Sequence, residues 1–520
     1  MEERGKTVQL FKVAKRLKYT LIGEGVLVGA CAGLVAVIYR IILSYAEEFV
    51  SFMTDFVHSD WTHIVLWLII LMVLGIIIAG FVKKEPFISG SGIPQVEAEM
   101  LSFIDQKWYR VLLYKAIGGT LCAFGGLSLG REGPSIQLGA MAGKGISRLF
   151  HRIKMEERLL LTCGAAAGLS AAFNAPLAGV MFALEEIHKN FNASVLVSVM
   201  CASVTGDFIS RNIFGLKPVF QFEILQSFPL HDYWLLLILG VLCGIFGAFY
   251  NSATLFVQKL FTKTNLQQYG VFIPLFLSWI FTLYYSDVLG SGHHMIEMLE
   301  EQPIRLLPAL CTLFAMKFLY SLISFGSGAP GGIFFPMLVL GSFCGAIFGN
   351  IWIQYFGFDA DFINNFIILA MAATFTSIVR APITGIILIA EMSGTLTNLL
   401  PIAVVSLVAY VSAVFFNSEP IYESLLHKLL IKNGVDISAF RGERRLEEYV
   451  VELGSMVCDR RVKDIDWPKK CLLVSIERQG KELIPKGDTI IRISDKLIVL
   501  FKDEDGPYVQ HQLEKCCRKT

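Results

Sequence analysis

Long runs without a single charged residue recur along this chain: Trp61 to Val82, Leu159 to Leu184, Tyr233 to Gln258, Phe318 to Phe358 and Met392 to Ser418. Each reaches the roughly 20 residues that a helix needs to cross a hydrocarbon layer. With 17% of residues charged and 54% apolar, a soluble fold could not cover its own surface, and lipid has to cover the rest. The expected class is an all-α polytopic membrane protein. A formal net charge of +1 leaves no basic footprint for nucleic acid. The 11 cysteines are scattered without a C-x-x-C pair, so neither a metal site nor a disulfide framework is expected. No cofactor is called for.

The run from Phe318 to Phe358 is too long for one crossing and is broken by Gly-Ser-Gly-Ala-Pro-Gly-Gly. Irregular backbone at membrane depth survives where protein buries it or where it lines a polar cavity, so such a break points either to a pathway or to a short external loop. An internal repeat sharpens this. The pattern P-x-x-x-L-G-x-x-x-G appears at Pro134, Leu138, Gly139 and Gly143, and returns at Pro336, Leu340, Gly341 and Gly345. Downstream of each comes A-P-x-x-G-x-x-x-x-x-E, first at Ala175, Pro176, Gly179 and Glu185, then at Ala381, Pro382, Gly385 and Glu391. Paired Gly/Pro-interrupted segments in two halves indicate a transporter whose site lies where the halves meet. Generic packing of small residues explains the glycines but not the ordered pair of motifs. The halves are expected at about 20–215 and 230–430, within a transport domain of residues 1–432.

Loop charges suggest an orientation. The basic N-terminal segment (Arg4, Lys6, Lys12, Lys15, Arg16, Lys18), Lys83-Lys84, Arg148 to Arg158 and the arginines after residue 440 read as cytoplasmic. Ser286 to Glu301, with His293-His294, reads as an external loop. The first apolar stretch has no small-residue cleavage pattern and is expected to be retained. Both termini are then cytoplasmic in a multi-pass protein. Lys115, Lys317, Arg380 and Glu391 fall in apolar surroundings and are expected to snorkel or pair. Asn192-Ala193-Ser194 fits a glycosylation pattern but abuts a helix, and is expected to be silent.

From about Asn433 the character changes, and residues 433–520 read as a small α+β domain. Strands are expected at Tyr449 to Leu453, Cys471 to Ile476, Thr489 to Ile493 and Lys496 to Phe501, and a helix at Tyr508 to Cys517.

Three glycine-rich segments carry the chemistry: Gly90-Ser91-Gly92-Ile93-Pro94, Gly130-Arg131-Glu132-Gly133-Pro134 and Gly331-Gly332-Ile333-Phe334-Phe335-Pro336. Each sets Gly ahead of Pro, the composition of a tight turn into a new helix. Such a helix start offers free N–H groups and the positive end of a dipole. Several converging starts would hold an anion without a full positive charge, so that it could also leave. A carboxylate in this setting, Glu132, has to be paired, protonated or set against helix ends. Pairing with Arg131 is not expected, because adjacent side chains on a helix diverge.

These segments, with Gly164 to Gly179 and Pro420-Ile421-Tyr422, resemble the CLC family of chloride channels and transporters over roughly Leu21 to Leu430. The resemblance implies an inverted-repeat fold with broken, re-entrant helices, homodimeric, in a plasma (inner) membrane. It implies chloride bound by Ser91, Gly92, Ile93, Arg131, Gly133, Ile333, Phe334 and Tyr422. Glu132 would be the gating glutamate. Glu186 would match the internal proton-transfer glutamate of the exchangers, where passive channels carry an apolar residue. Retention of Gly-Ser-Gly-Ile-Pro disfavours the fluoride-exporting branch. The C-terminal pattern, Glu448 through Phe501, resembles the ligand-binding module of potassium-uptake regulators (TrkA-C), which implies a nucleotide regulator such as cyclic di-AMP, or else a dimer-stabilising appendage.

The function implied is proton-coupled chloride antiport, with chloride and protons as the transported partners. The alternative is a passive voltage- or ligand-regulated chloride channel of the same fold. An intramembrane hydrolase finds no H-E-x-x-H or G-x-S-x-G motif. A sensor whose terminal domain carries the function is the third reading.

Overall fold

The computed structural model describes the backbone of residues 2–189, 191, 193–222, 224–263, 269–435, 444–452, 455–468, 471–478, 481–502 and 506–517, and the side chains of these from residue 20 onward except at 193, 194, 444–446, 481, 482, 502, 506, 507 and 514. Asn192 and Leu453 lie outside the described residues. The chain divides into two compact units, Met1–Leu429 and Leu430–Thr520.

Among the described residues, the first unit is built of helices joined by irregular segments. Its first eight helices are α1 (Glu2–Ser59), α2 (Trp61–Lys84), α3 (Ile93–Met100), α4 (Trp108–Phe124), α5 (Glu132–Leu149), α6 (Lys154–Phe173), α7 (Pro176–Phe182) and α8 (Ala193–Phe214). The next eight follow in matching order: α9 (Tyr233–Lys263), α10 (Phe272–Tyr284), α11 (His293–Glu301), α12 (Leu307–Gly326), α13 (Phe334–Phe356), α14 (Ile363–Val379), α15 (Pro382–Ser393) and α16 (Leu399–Phe415). A last helix, α17 (Ile421–Lys432), runs across the division between the units. Among the described residues, six helices are long and apolar enough to cross a membrane, and three shorter ones are also apolar.

Besides Phe318–Phe358, which splits between α12 and α13, two further apolar runs are not single crossings. Leu159–Leu184 is broken after α6 at Asn174, which takes a left-handed conformation (φ +54°), and α7 then starts on Pro176. Met392–Ser418 is broken at Gly394 (φ +68°), between α15 and α16.

The repeat motifs have a structural counterpart in each half. Pro134 and Pro336 sit in the first turns of α5 and α13, while Pro176 and Pro382 open α7 and α15. The motif glutamates cap each other's helices across the halves. Glu391 accepts the N–H groups of Leu177 (3.1 Å) and Ala178 (2.8 Å) at the start of α7. Glu185 accepts those of Ile383 (3.3 Å) and Thr384 (2.8 Å) at the start of α15, and the Thr384 hydroxyl as well (2.7 Å). A reciprocal exchange of this kind requires a two-fold relation between the halves. Each carboxylate meets orphan donors and the positive end of a dipole. Glu391→Ala is therefore expected to cost about 1–2 kcal/mol, read as a lower thermal midpoint in detergent. Glu185→Ala, which also strands a hydroxyl, should cost more; an unchanged midpoint for both would count against the caps.

Lys115 and Lys317 neither snorkel nor pair. Lys115 and Lys317 have no exposed surface. Lys115 donates to the carbonyls of Ile88 (2.8 Å) and Gly90 (2.5 Å). Lys317 donates to those of Val288 (2.9 Å) and Gly290 (2.8 Å). Arg380 likewise donates to the carbonyls of Tyr410 and Ser418. The two lysines tie down irregular backbone whose carbonyls no helix satisfies, while Arg380 reaches a carbonyl within α16 and another just after it.

The second unit is a four-stranded antiparallel sheet in the order β1-β4-β2-β3, formed by β1 (Arg444–Val450), β2 (Cys471–Arg478), β3 (Lys481–Leu483) and β4 (Lys496–Lys502), with a final helix α18 (Gly506–Cys517). Tyr449 pairs with Leu497, and Ile476 also pairs with Leu497 from the other side. These residues join Val499, Phe501, Val509 and Leu513 in one core. Two expectations are corrected. Thr489–Ile493 is not a strand; Ile490 makes only an isolated bridge to Arg461. The first strand begins at Arg444, earlier than expected, because the charged residues Arg444 to Glu448 obscured its alternation. Asp495 is buried at the turn into β4 and accepts from Arg478 (2.8 and 2.7 Å) and from the Arg492 N–H (2.7 Å). Burial raises its carboxyl, but those donors outweigh burial and hold it below the ordinary carboxylate range.

Candidate functional site

The three glycine segments, far apart in sequence, are stitched together by backbone hydrogen bonds. Gly130 and Gly332 exchange both bonds (2.7 and 2.8 Å). The Gly90 N–H donates to the Ala329 carbonyl (3.2 Å), and the Gly331 N–H to the Gly90 carbonyl (3.1 Å). These ties bring the starts of α3, α5 and α13 to one place inside the helical unit. Gly92, the residue before α3, has φ +95°, and a Cβ there would fall on the Gln137 side chain. A Cβ on Gly133 would lie 2.6 Å from the Ser91 hydroxyl and 2.8 Å from its carbonyl. Glycine at both positions is what lets the loops approach so closely.

The candidate residues fall around this junction. Ser91 is 2% exposed, and its hydroxyl accepts weakly from the Ile93 N–H (3.5 Å). Ile333 precedes α13 and Phe334 opens it, so the first amides of that helix have no acceptor within it. Tyr422, in the first turn of α17, is fully buried, and its hydroxyl lies near Ser91 without a hydrogen-bond partner among the described residues. Phe182, Phe334 and Tyr422 pack edge to face around the same space, with centroids 5.9 and 6.4 Å apart. The arrangement offers hydroxyl and amide donors in an apolar wall, which suits a partly dehydrated anion.

Glu132 opens α5 and has no exposed surface. Its carboxylate lies beside its own N–H and that of Phe335 without reaching hydrogen-bond geometry. It therefore sits at the starts of α5 and α13 at once. The expected divergence from Arg131 is not found: Arg131 Nε lies 3.8 Å from Glu132 Oε1. The reason is local. Arg131 precedes the helix, and the Glu132 side chain folds back over Gly130, which has no side chain to occupy that space.

Glu186 lies in a π-helical turn, Ala183–His188, that continues α7. It is 7% exposed, with Glu97, Lys189, Glu423 and Glu185 as its charged neighbours. Lys189 pairs with Glu97 at 2.5 Å. Tyr422 lies within electrostatic reach of both Glu132 and Glu186.

Sequence reasoning missed a second cradle. Gly290-Ser291-Gly292 repeats Gly90-Ser91-Gly92 with the same left-handed glycines (φ +65° and +106°, against +68° and +95°). Its backbone is tied by Lys317 as the first is by Lys115. The repeated tripeptide was the available signal. His293, expected in a loop, instead opens α11, and its ring packs on Phe335 at 4.1 Å.

Residues 74–414 match the family model described as voltage gated chloride channel, and residues 446–513 match the TrkA-C domain. The chain is 36% identical over 425 residues to a protein of Vibrio vulnificus named H(+)/Cl(-) exchange transporter ClcA, covering 78% of this chain and 89% of that one. A protein of the same name from Vibrio campbellii is 34% identical over 435 residues, covering 79% and 90%. Among solved structures, that of a slow cyanobacterial Cl-/H+ antiporter superposes with a TM-score of 0.75 at 29% identity, covering 80% of this chain and 99% of that one. With the family model spanning most of the helical unit and relatives of this extent, the chain belongs to the voltage-gated chloride channel (CLC) family and carries a TrkA-C domain.

Proposed function

We propose that this transport protein, which is not an enzyme, exchanges chloride for protons across the membrane. The observation that carries the reading is the junction of three helix starts around Ser91 and Tyr422, with the Glu132 carboxylate lying where an anion would bind. Chloride is held by the hydroxyls of Ser91 and Tyr422 and by the backbone around Gly92, Ile93, Gly133, Ile333 and Phe334. Arg131 supplies positive potential at the mouth. Ionised Glu132 competes with chloride for the helix ends; protonated Glu132 gives way. One side chain thereby couples the two ions.

Glu186 takes protons from the cytoplasmic side, and its retention favours antiport over the passive channel of the same fold. The names of the relatives support the same reading. Transport belongs to residues 1–432 and regulation to 433–520, as a homodimer in the plasma (inner) membrane with both termini cytoplasmic. A nucleotide such as cyclic di-AMP is the regulator proposed for the TrkA-C domain.

The test uses purified protein in liposomes, with an imposed chloride gradient and the potential clamped, recording pH and chloride together. Wild type is expected to drive protons uphill. Glu186→Ala is expected to lose proton movement while chloride still moves. Chloride flux without protons in the wild type would make the protein a channel.

A further inference from the structure

Glu132 has no exposed surface, so on the antiport reading a proton from outside needs a route to it. On the proposed orientation α1 crosses outward, and Glu47 lies in its outer part. Its carboxylate accepts from the Ser291 hydroxyl at 2.6 Å. Ser291 belongs to the repeated Gly-Ser-Gly cradle, so Glu47 stands at the second cradle as an anion would at the first. Between Glu47, Ser291 and Arg131 lies a cavity of about 30 Å³, which Gly130 and Gly331 also line. That is room for water with polar partners on several sides. Gly130 is the residue over which the Glu132 side chain folds, so the cavity ends at the loop that carries Glu132. Glu47 and Glu132 lie within electrostatic reach of each other.

We propose that Glu47, held by Ser291, is the outer proton relay to Glu132. The proposal rests on the antiport reading. Protonated Glu47 releases its proton to water in the cavity, that water protonates the Glu132 carboxylate, and external solvent returns a proton to Glu47. The charged groups that face Glu47 are His293 at the start of α11, Arg131 before α5 and Lys317 of α12. Tyr39, from its own helix, lines the same cavity. Ser291 is a positioning residue that aims the carboxylate at the cavity.

Glu47→Gln keeps the shape and can still accept from Ser291, but it cannot carry the proton. In liposomes under a chloride gradient, its proton and chloride turnover are expected to fall together by about ten-fold or more, with Glu47→Asp intermediate. Added to Glu132→Gln, where chloride needs no proton, Glu47→Gln is expected to leave chloride flux at the Glu132→Gln level, which also shows that the variant folds. Coupled wild-type exchange alongside full turnover in Glu47→Gln would overturn the relay alone. Equal slowing of chloride in the Glu132→Gln background would overturn it too, placing Glu47 in anion access. Wild-type chloride movement without protons would overturn the antiport reading and the relay with it.

Discussion

Glu132→Gln is expected to move chloride freely with no proton movement, and to lose the dependence of chloride flux on external pH. An ionised carboxylate without exposed surface is tolerable because two helix starts and Arg131 surround it. Those same donors are what chloride needs, so carboxylate and chloride exclude each other. Gln has nearly the same volume and no charge. It cannot hold the helix ends against an anion, and it cannot take up a proton at any pH in the working range. Coupling should therefore vanish, not weaken. Glu186→Ala differs in one respect: it stops protons but leaves Glu132 able to ionise, so its chloride flux should still respond to external pH. Simultaneous recording of pH and chloride in liposomes separates the two variants. Persistent proton movement in Glu132→Gln would remove Glu132 from the coupling step.

Much of this site was legible because its parts are local. A glycine before a proline states that a helix begins, and it does so without knowledge of the rest of the chain. Convergence is not local. The bonds that join Gly130 to Gly332 and Gly90 to Ala329 span some two hundred residues, and no pattern within either segment encodes them. The lysines show the same limit. Their apolar surroundings could be read, and suggested snorkelling or pairing, but their partners are the carbonyls of Ile88, Gly90, Val288 and Gly290, which every residue possesses. The Arg131–Glu132 approach was missed for a different reason. The expectation used helix geometry for a residue that precedes the helix. The glutamates Glu185 and Glu391 were visible as repeat members, yet their exchange between halves follows from the two-fold arrangement and not from spacing.

The second large effect concerns the motif glycines. Gly139 of α5 and Gly164 of α6 face each other so closely that a Cβ on either would collide with the other's carbonyl oxygen. Gly143 and Gly168 stand in the same relation to the carbonyls of Leu160 and Ser135. In the second half, a Cβ on Gly345 of α13 would collide with the Phe366 carbonyl of α14, and a Cβ on Gly341 would lie 2.9 Å from the Met371 Cα. The obstacles are backbone, so no rotamer change can relieve them. Gly139→Ala should cost about 1–3 kcal/mol by overpacking. Gly139→Leu should yield no monodisperse protein, since α5 would have to leave α6 along its length. Gly80→Ala supplies the contrast: a Cβ there meets nothing within 4 Å, and alanine favours the helix by up to about 1 kcal/mol. The same exchange at two helical glycines is thus expected to shift the thermal midpoint in opposite directions. The cost at Gly139 should also reach the transport site. Glu132 opens the helix that Gly139 anchors, so a displaced α5 moves the gate. A Gly139→Ala protein that folds is expected to exchange more slowly, whereas full exchange with an unchanged midpoint would mean that the helices can separate without cost.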